Sequence, residues 1–80
     1  MQQVYVKFKD MEQIRDFVNI IDRFDGNFDM GSGRRIVDAK SILGIAALDL
    51  TQPQRLCFET EDDEVLERLK PFLLKKKGIT

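Results

Sequence analysis

Val4, Val6 and Phe8 alternate with Tyr5, Lys7 and Lys9, the period of two that sets one row of side chains on a core and the other toward water, so the chain opens with a predicted strand. From Met11 the period lengthens. Ile14, Phe17, Val18, Ile21 and Phe24 fall at i, i+3, i+4, i+7 and i+10, one face of a helix. Asp10 precedes that helix and Gln13 follows three residues on, an aspartate cap with a variant of the capping box. Asp25-Gly26-Asn27 supplies the stop, because Gly and Asn tolerate the backbone that closes helix ends.

Phe28 and Met30 next alternate with polar neighbours as far as Gly31-Ser32-Gly33, and Arg34 to Asp38 carries Ile36 and Val37 away again. This pattern predicts a hairpin. Ser41 is the natural cap of a short apolar segment, Ile42, Leu43, Ile45, Ala46 and Leu48. Within it Gly44 permits close packing at a helix-propensity cost of about 1 kcal/mol. After the loop Thr51-Gln52-Pro53-Gln54, Leu56 and Phe58 alternate with Arg55, Cys57 and Glu59 in a fourth predicted strand.

A last helix is predicted over 61–77, with Val65, Leu66, Leu69, Phe72 and Leu73 on its apolar face, acids in its first turn and Lys75-Lys76-Lys77 in its last. Pro71 lacks a backbone donor and predicts a kink or break there. The order is β-α-β-β-α-β-α. An α+β open-faced sandwich follows, a four-stranded, mainly antiparallel sheet with three helices on one face, because each helix has one apolar stripe and each strand one apolar row.

Eighty residues make one domain, 1–80, with a small core. Thirteen basic against fourteen acidic side chains leave a net charge of -1, without the basic field that nonspecific nucleic-acid binding needs. The chain has no histidine, which excludes imidazole catalysis, His-metal ligation and phosphohistidine chemistry. One cysteine, Cys57, can form neither an internal disulfide nor a cysteine-rich zinc site. No apolar run reaches the roughly 20 residues of a membrane span, and the start has no signal-peptide pattern. A cytoplasmic protein with no membrane insertion is expected.

Ala39-Lys40-Ser41-Ile42-Leu43-Gly44-Ile45-Ala46-Ala47-Leu48 resembles the lysine-serine-isoleucine-x-glycine segment of the HPr family, the small phosphocarriers of the bacterial sugar phosphotransferase system, together with the short helix after it. The similarity runs from about Phe24 to about Leu74, and the family's fold has the same element order. The family's chemistry is what the chain departs from. In HPr a histidine just before the first helix accepts phosphate from Enzyme I, beside an arginine, and passes it to sugar permeases. Counting back from Ser41, that position falls on or near Asp10, within Lys9-Asp10-Met11-Glu12.

The resemblance therefore implies a phosphotransferase-system relative without histidine phosphoryl carriage, a regulatory or docking module rather than an enzyme. Ser41 matches the regulatory serine that a dedicated kinase phosphorylates in many bacteria, and a cap explains a serine there equally well. The resemblance implies docking through the second helix and the start of the first, namely Met11, Lys40, Ile42, Leu43, Ile45, Ala46 and Ala47, against phosphotransferase-system proteins, an HPr serine kinase or a catabolite regulator. Asp10 is read as a helix cap, and also as a fixed carboxylate imitating the phosphorylated carrier at a helix N-terminus. Two alternatives stand beside this: a phosphocarrier with a non-histidine acceptor such as Asp10, and a relic interaction domain.

Neither a cofactor nor a metal is expected, since the acids of Asp62-Asp63-Glu64 do not share a helix face. Arg34, Arg35 and Lys40 read as a solvated sheet edge, where charge discourages strand pairing.

Overall fold

The computed structural model describes residues 2–74. Strand β1 (Gln2–Val6) is followed by helix α1 (Met11–Ile21), the hairpin β2 (Phe28–Ser32) and β3 (Arg35–Asp38), helix α2 (Ile42–Ala46), strand β4 (Gln54–Phe58) and helix α3 (Glu64–Leu69), which tightens into a 3-10 turn over Lys70–Phe72. The sheet order is β1-β4-β2-β3 and every neighbouring pair is antiparallel. This is the expected α+β architecture, a four-stranded open sheet with three helices. Its two edges are β1 and β3.

Alternation along the strands sorts the two faces. Val6, Phe28, Met30, Gln54, Leu56 and Phe58 are buried under the helices, while Gln3, Asp29 and Ile36 are exposed on the other side. The helix layer closes over them with Ile14, Phe17, Val18, Ile21, Ile45, Leu48, Val65 and Leu69. Three rings knit the outer part of this core: Phe17 meets Phe8 edge-on at 5.1 Å between centroids and Phe72 at 5.7 Å, and Phe8 lies 5.9 Å from Phe72. Phe28 and Phe58, opposed on β2 and β4, stack at 5.4 Å.

Glycine shapes two joints. The β2–β3 connection is the two-residue turn Gly33-Arg34, with positive φ at Gly33 alone, the arrangement that prefers Gly at the first central position. Gly26 has φ 111°, and a Cβ there would lie 2.0 Å from the Glu59 carbonyl oxygen, so two loops meet backbone to backbone at one end of the sheet.

Several element boundaries differ from the sequence reading. Strand β1 ends at Val6, yet Phe8 still buries its ring. Strand β4 takes in Gln54, read as loop, and leaves out Glu59. The last helix begins at Glu64 and gives way at Lys70. Its upstream acids form a turn instead, in which the Thr60 hydroxyl accepts from the Asp62 amide and the Asp62 carboxylate accepts from the Glu64 amide at 2.9 Å. Local side-chain bonds of this kind hold Asp outside a helix. Pro71 sits in the 3-10 turn, where the α-helical ladder has ended as its missing donor requires. Lys75-Lys76-Lys77 lie outside the described residues.

Candidate functional site

Asp10 caps α1 in an extended conformation, its Oδ1 accepting from the Gln13 amide at 2.9 Å. Gln13 reaches back one residue further than a standard capping box, its Oε1 accepting from the Lys9 amide at 2.8 Å. Two end groups of the helix are thereby satisfied from within the chain. The anion position at this helix tip is held by the protein's own carboxylate, and Glu12 in the first turn adds a second negative charge.

The segment entering α2 is fixed more heavily. Ala39 is fully buried and donates its amide to the Phe28 carbonyl at 2.8 Å. The Lys40 ammonium donates to the Phe24 carbonyl at 2.8 Å and stands 5.3 Å above the Phe28 ring. Lys40 was expected at the docking surface. Its charge is spent inward, on the loop after α1 and on an aromatic face. Asp38 closes the same turn, its carboxylate accepting from the Lys40 amide at 2.9 Å and its carbonyl from the Ser41 amide at 3.0 Å.

Ser41 is the N-cap of α2, as its position in the sequence predicted: Oγ accepts from the Gly44 amide at 3.1 Å. The residue is half-buried. Gly44 lets the helix lie close on β3, since a Cβ there would sit 3.2 Å from Val37 Cβ. That contact orients the rest of the helix. Ile45 has no exposed surface and belongs to the core, so it leaves the expected docking set. Ile42 is half-buried, whereas Ala46 and Ala47 are exposed.

Leu43 is 85% exposed and Met11, at the start of α1, 50%. No other large hydrophobic side chain among the described residues is as exposed as Leu43. Helices α1 and α2 pack against each other, so Met11, Leu43, Ala46 and Ala47 are presented by one helix pair. The site is thus a capped serine followed two residues later by a leucine open to water, beside a helix whose tip carries a fixed carboxylate. It can recognise a surface. No acid–base pair or nucleophile–base pair converges in it.

Two features escaped the sequence reading. Gln54 is fully buried, its Nε2 donating to the Asp49 carbonyl at 2.7 Å and the Gln52 carbonyl at 2.9 Å. It ties down the loop between α2 and β4. A buried amide carries no apolar signature, although Gln54 shares the parity of Leu56 and Phe58, the core row of β4. The second is an open groove of about 680 Å³ at the Gly26–Glu59 junction, lined by Arg23, Asp25, Glu59 and Asp62 among others and by none of the expected site residues. Among the described residues no cluster of three or more His, Cys, Asp or Glu is arranged to hold a metal ion, and no helix is long and apolar enough to cross a membrane.

No model of a known protein family matches the chain, and no curated protein or solved structure matches it either. The functional reading therefore rests on the chain's own residues.

Proposed function

We propose that the chain is an HPr-type regulatory or docking module of the phosphotransferase system, without histidine phosphoryl carriage, that binds its partner through Leu43, Ala46, Ala47 and Met11 and is controlled by phosphorylation of Ser41. What carries the reading is Ser41 capping α2 two residues before Leu43, an aliphatic side chain left 85% in water. Covering a leucine of that size gains about 1.5–3 kcal/mol. The β-α-β-β-α-β-α order and the Ala39–Leu48 segment support the family likeness.

Phosphate on Ser41 adds about two negative charges at the α2 amides, where a helix tolerates them. The fold survives and the neighbouring apolar patch gains an anion, so the consequence falls on recognition. Phosphoryl carriage by Asp10 is the weaker reading, because that carboxylate is already engaged in holding α1.

Incubation with phosphoenolpyruvate and Enzyme I separates the two: the docking module stays unlabelled beside a labelled histidine-bearing HPr, and label on Asp10 would restore carriage. A pull-down with phosphotransferase-system proteins, using the native chain, Leu43→Lys and Ser41→Asp, tests the surface. Capture by the native chain, lost on Leu43→Lys and altered by Ser41→Asp, is the expected outcome.

A further inference from the structure

Among the described residues, strand β3 is an edge of the sheet whose one neighbouring strand is β2. The Ala39 amide donates to the Phe28 carbonyl, and antiparallel pairs alternate between bonded and non-bonded positions. Val37 therefore turns its backbone groups toward β2, while Ile36 and Asp38 turn theirs outward. The Asp38 carbonyl is taken by the Ser41 amide, which leaves the Ile36 amide and carbonyl and the Asp38 amide on the open edge. On the face of the sheet away from the helices this strand presents Ile36, 66% exposed, with Asp38 beyond it, and the exposed turn residue Arg34 lies just before the strand. Asp38 is directly opposite Asp29, a destabilising like-charge cross-strand pair, and the Arg55 guanidinium lies on the same face, over Gly31 beside Ile36.

We propose that β3 is a self-association edge, at which a second copy of this chain adds its own β3 antiparallel to form one continuous eight-stranded sheet. The charge sequence selects both partner and register. A two-fold axis through a sheet must stand perpendicular to it and preserve its faces, so antiparallel copies meet with residues of equal parity opposed. Centred on Ile36, the pairing sets Ile36 against Ile36 of the second copy and brings each copy's Arg34, in its turn, beside the other's Asp38. The exposed isoleucines cover each other, two ion pairs flank them, and the partner's guanidinium neutralises the Asp29–Asp38 pair. Centred on Val37 the same strands oppose Ile36 to Asp38 and Arg34 to Lys40, and centred on Arg35 they oppose Arg35 to itself. Arginines on a sheet edge repel most foreign strands. In this register Arg34 meets its complement in another copy of the chain.

A four-residue edge buries well under the roughly 1,200 Å² of a tight complex, so a dissociation constant between about 10 μM and 1 mM is expected. This association does not depend on the docking role proposed above, since it uses neither Leu43 nor Ser41.

Sedimentation equilibrium of the full chain across that concentration range, with folding of each variant checked by circular dichroism, decides the matter. The native chain should dimerise, with concentration-dependent amide shifts at Ile36 and Asp38. Arg34→Asp, on an exposed turn, should weaken dimerisation roughly tenfold or more by opposing two carboxylates. Asp38→Arg should do the same by opposing two guanidinium groups, and an equimolar mixture of the two variants should associate where each alone does not. If Asp38→Arg does not fold, Arg34→Asp carries the test alone. A native chain that stays monomeric at about 1 mM, or a dimer indifferent to Arg34→Asp, would overturn the proposal.

Discussion

At the scale of single residues, small groups decide how the candidate site is held. The Ser41 hydroxyl satisfies the Gly44 amide, so Ser41→Ala should cost about 1 kcal/mol. In a domain of this size that lowers Tm by roughly 4–8 °C on thermal denaturation, and Ser41→Asp should recover most of it. Gly26 is less forgiving. Its positive φ, and the Glu59 carbonyl oxygen standing where a Cβ would go, leave no room for a methyl, so Gly26→Ala should destabilise by about 2 kcal/mol or more in urea unfolding.

Asp49 sets a pH dependence. The Thr51 hydroxyl, donating at 2.6 Å, and then the Thr51 amide hold its carboxyl below the usual carboxylate value. A carboxylate depressed in the folded state contributes stability that is present above its unfolded pKa of 3.8 and lost as pH falls through the lower folded value. Acid titrations of the native chain and Asp49→Asn should therefore differ above pH 3.8 and converge as pH falls through the lowered folded value.

The site residues were legible in the sequence to unequal degrees. Ser41 and Asp10 announce themselves, because an oxygen-bearing side chain ahead of a helical apolar pattern has one common use. Ile45 and Leu43 do not. Both are large and aliphatic on a five-residue helix, and only the close seat of Gly44 on Val37 turns one inward and leaves the other in water. The Lys40 contacts with Phe24 and Phe28 span 16 and 12 residues of chain and leave no local trace.

At the scale of elements, the start of α1 could be read to the residue, since its period and its cap agree, while its end falls three residues short of the predicted face. It ends at Ile21, and Phe24 reaches the core from the turn beyond. Helix α3 could not be bounded so well. A run of acids satisfies the dipole rule for a first turn, but Asp62 bonds its own local backbone and so starts the helix later. Pro71 did mark the real end of the α-helical ladder. The ring cluster joins α1 to the chain beyond that end through Phe8, Phe17 and Phe72. Phe17 is fully buried, so Phe17→Leu should cost about 1–2 kcal/mol from lost edge-to-face contact and imperfect filling. Chemical denaturation with an unchanged m-value would confirm a packing loss alone.

At the scale of the whole molecule, one sheet serves two outward surfaces. Its buried face positions α1 and α2, and with them Met11, Leu43, Ala46 and Ala47. Its open face and its β3 edge are separate from that helix layer. The overall architecture was readable because a period of two or of 3.6 appears in every main element and the element order limits the packing. Strand order was not, because nothing in β4 says that it must insert between β1 and β2.

The regulatory claim meets its most direct test in phosphate transfer from labelled ATP by an HPr serine kinase, with an authentic HPr as control. The account predicts one phosphate per chain, on Ser41, and none on Ser41→Ala. A control that takes up phosphate while the native chain takes up none would contradict it.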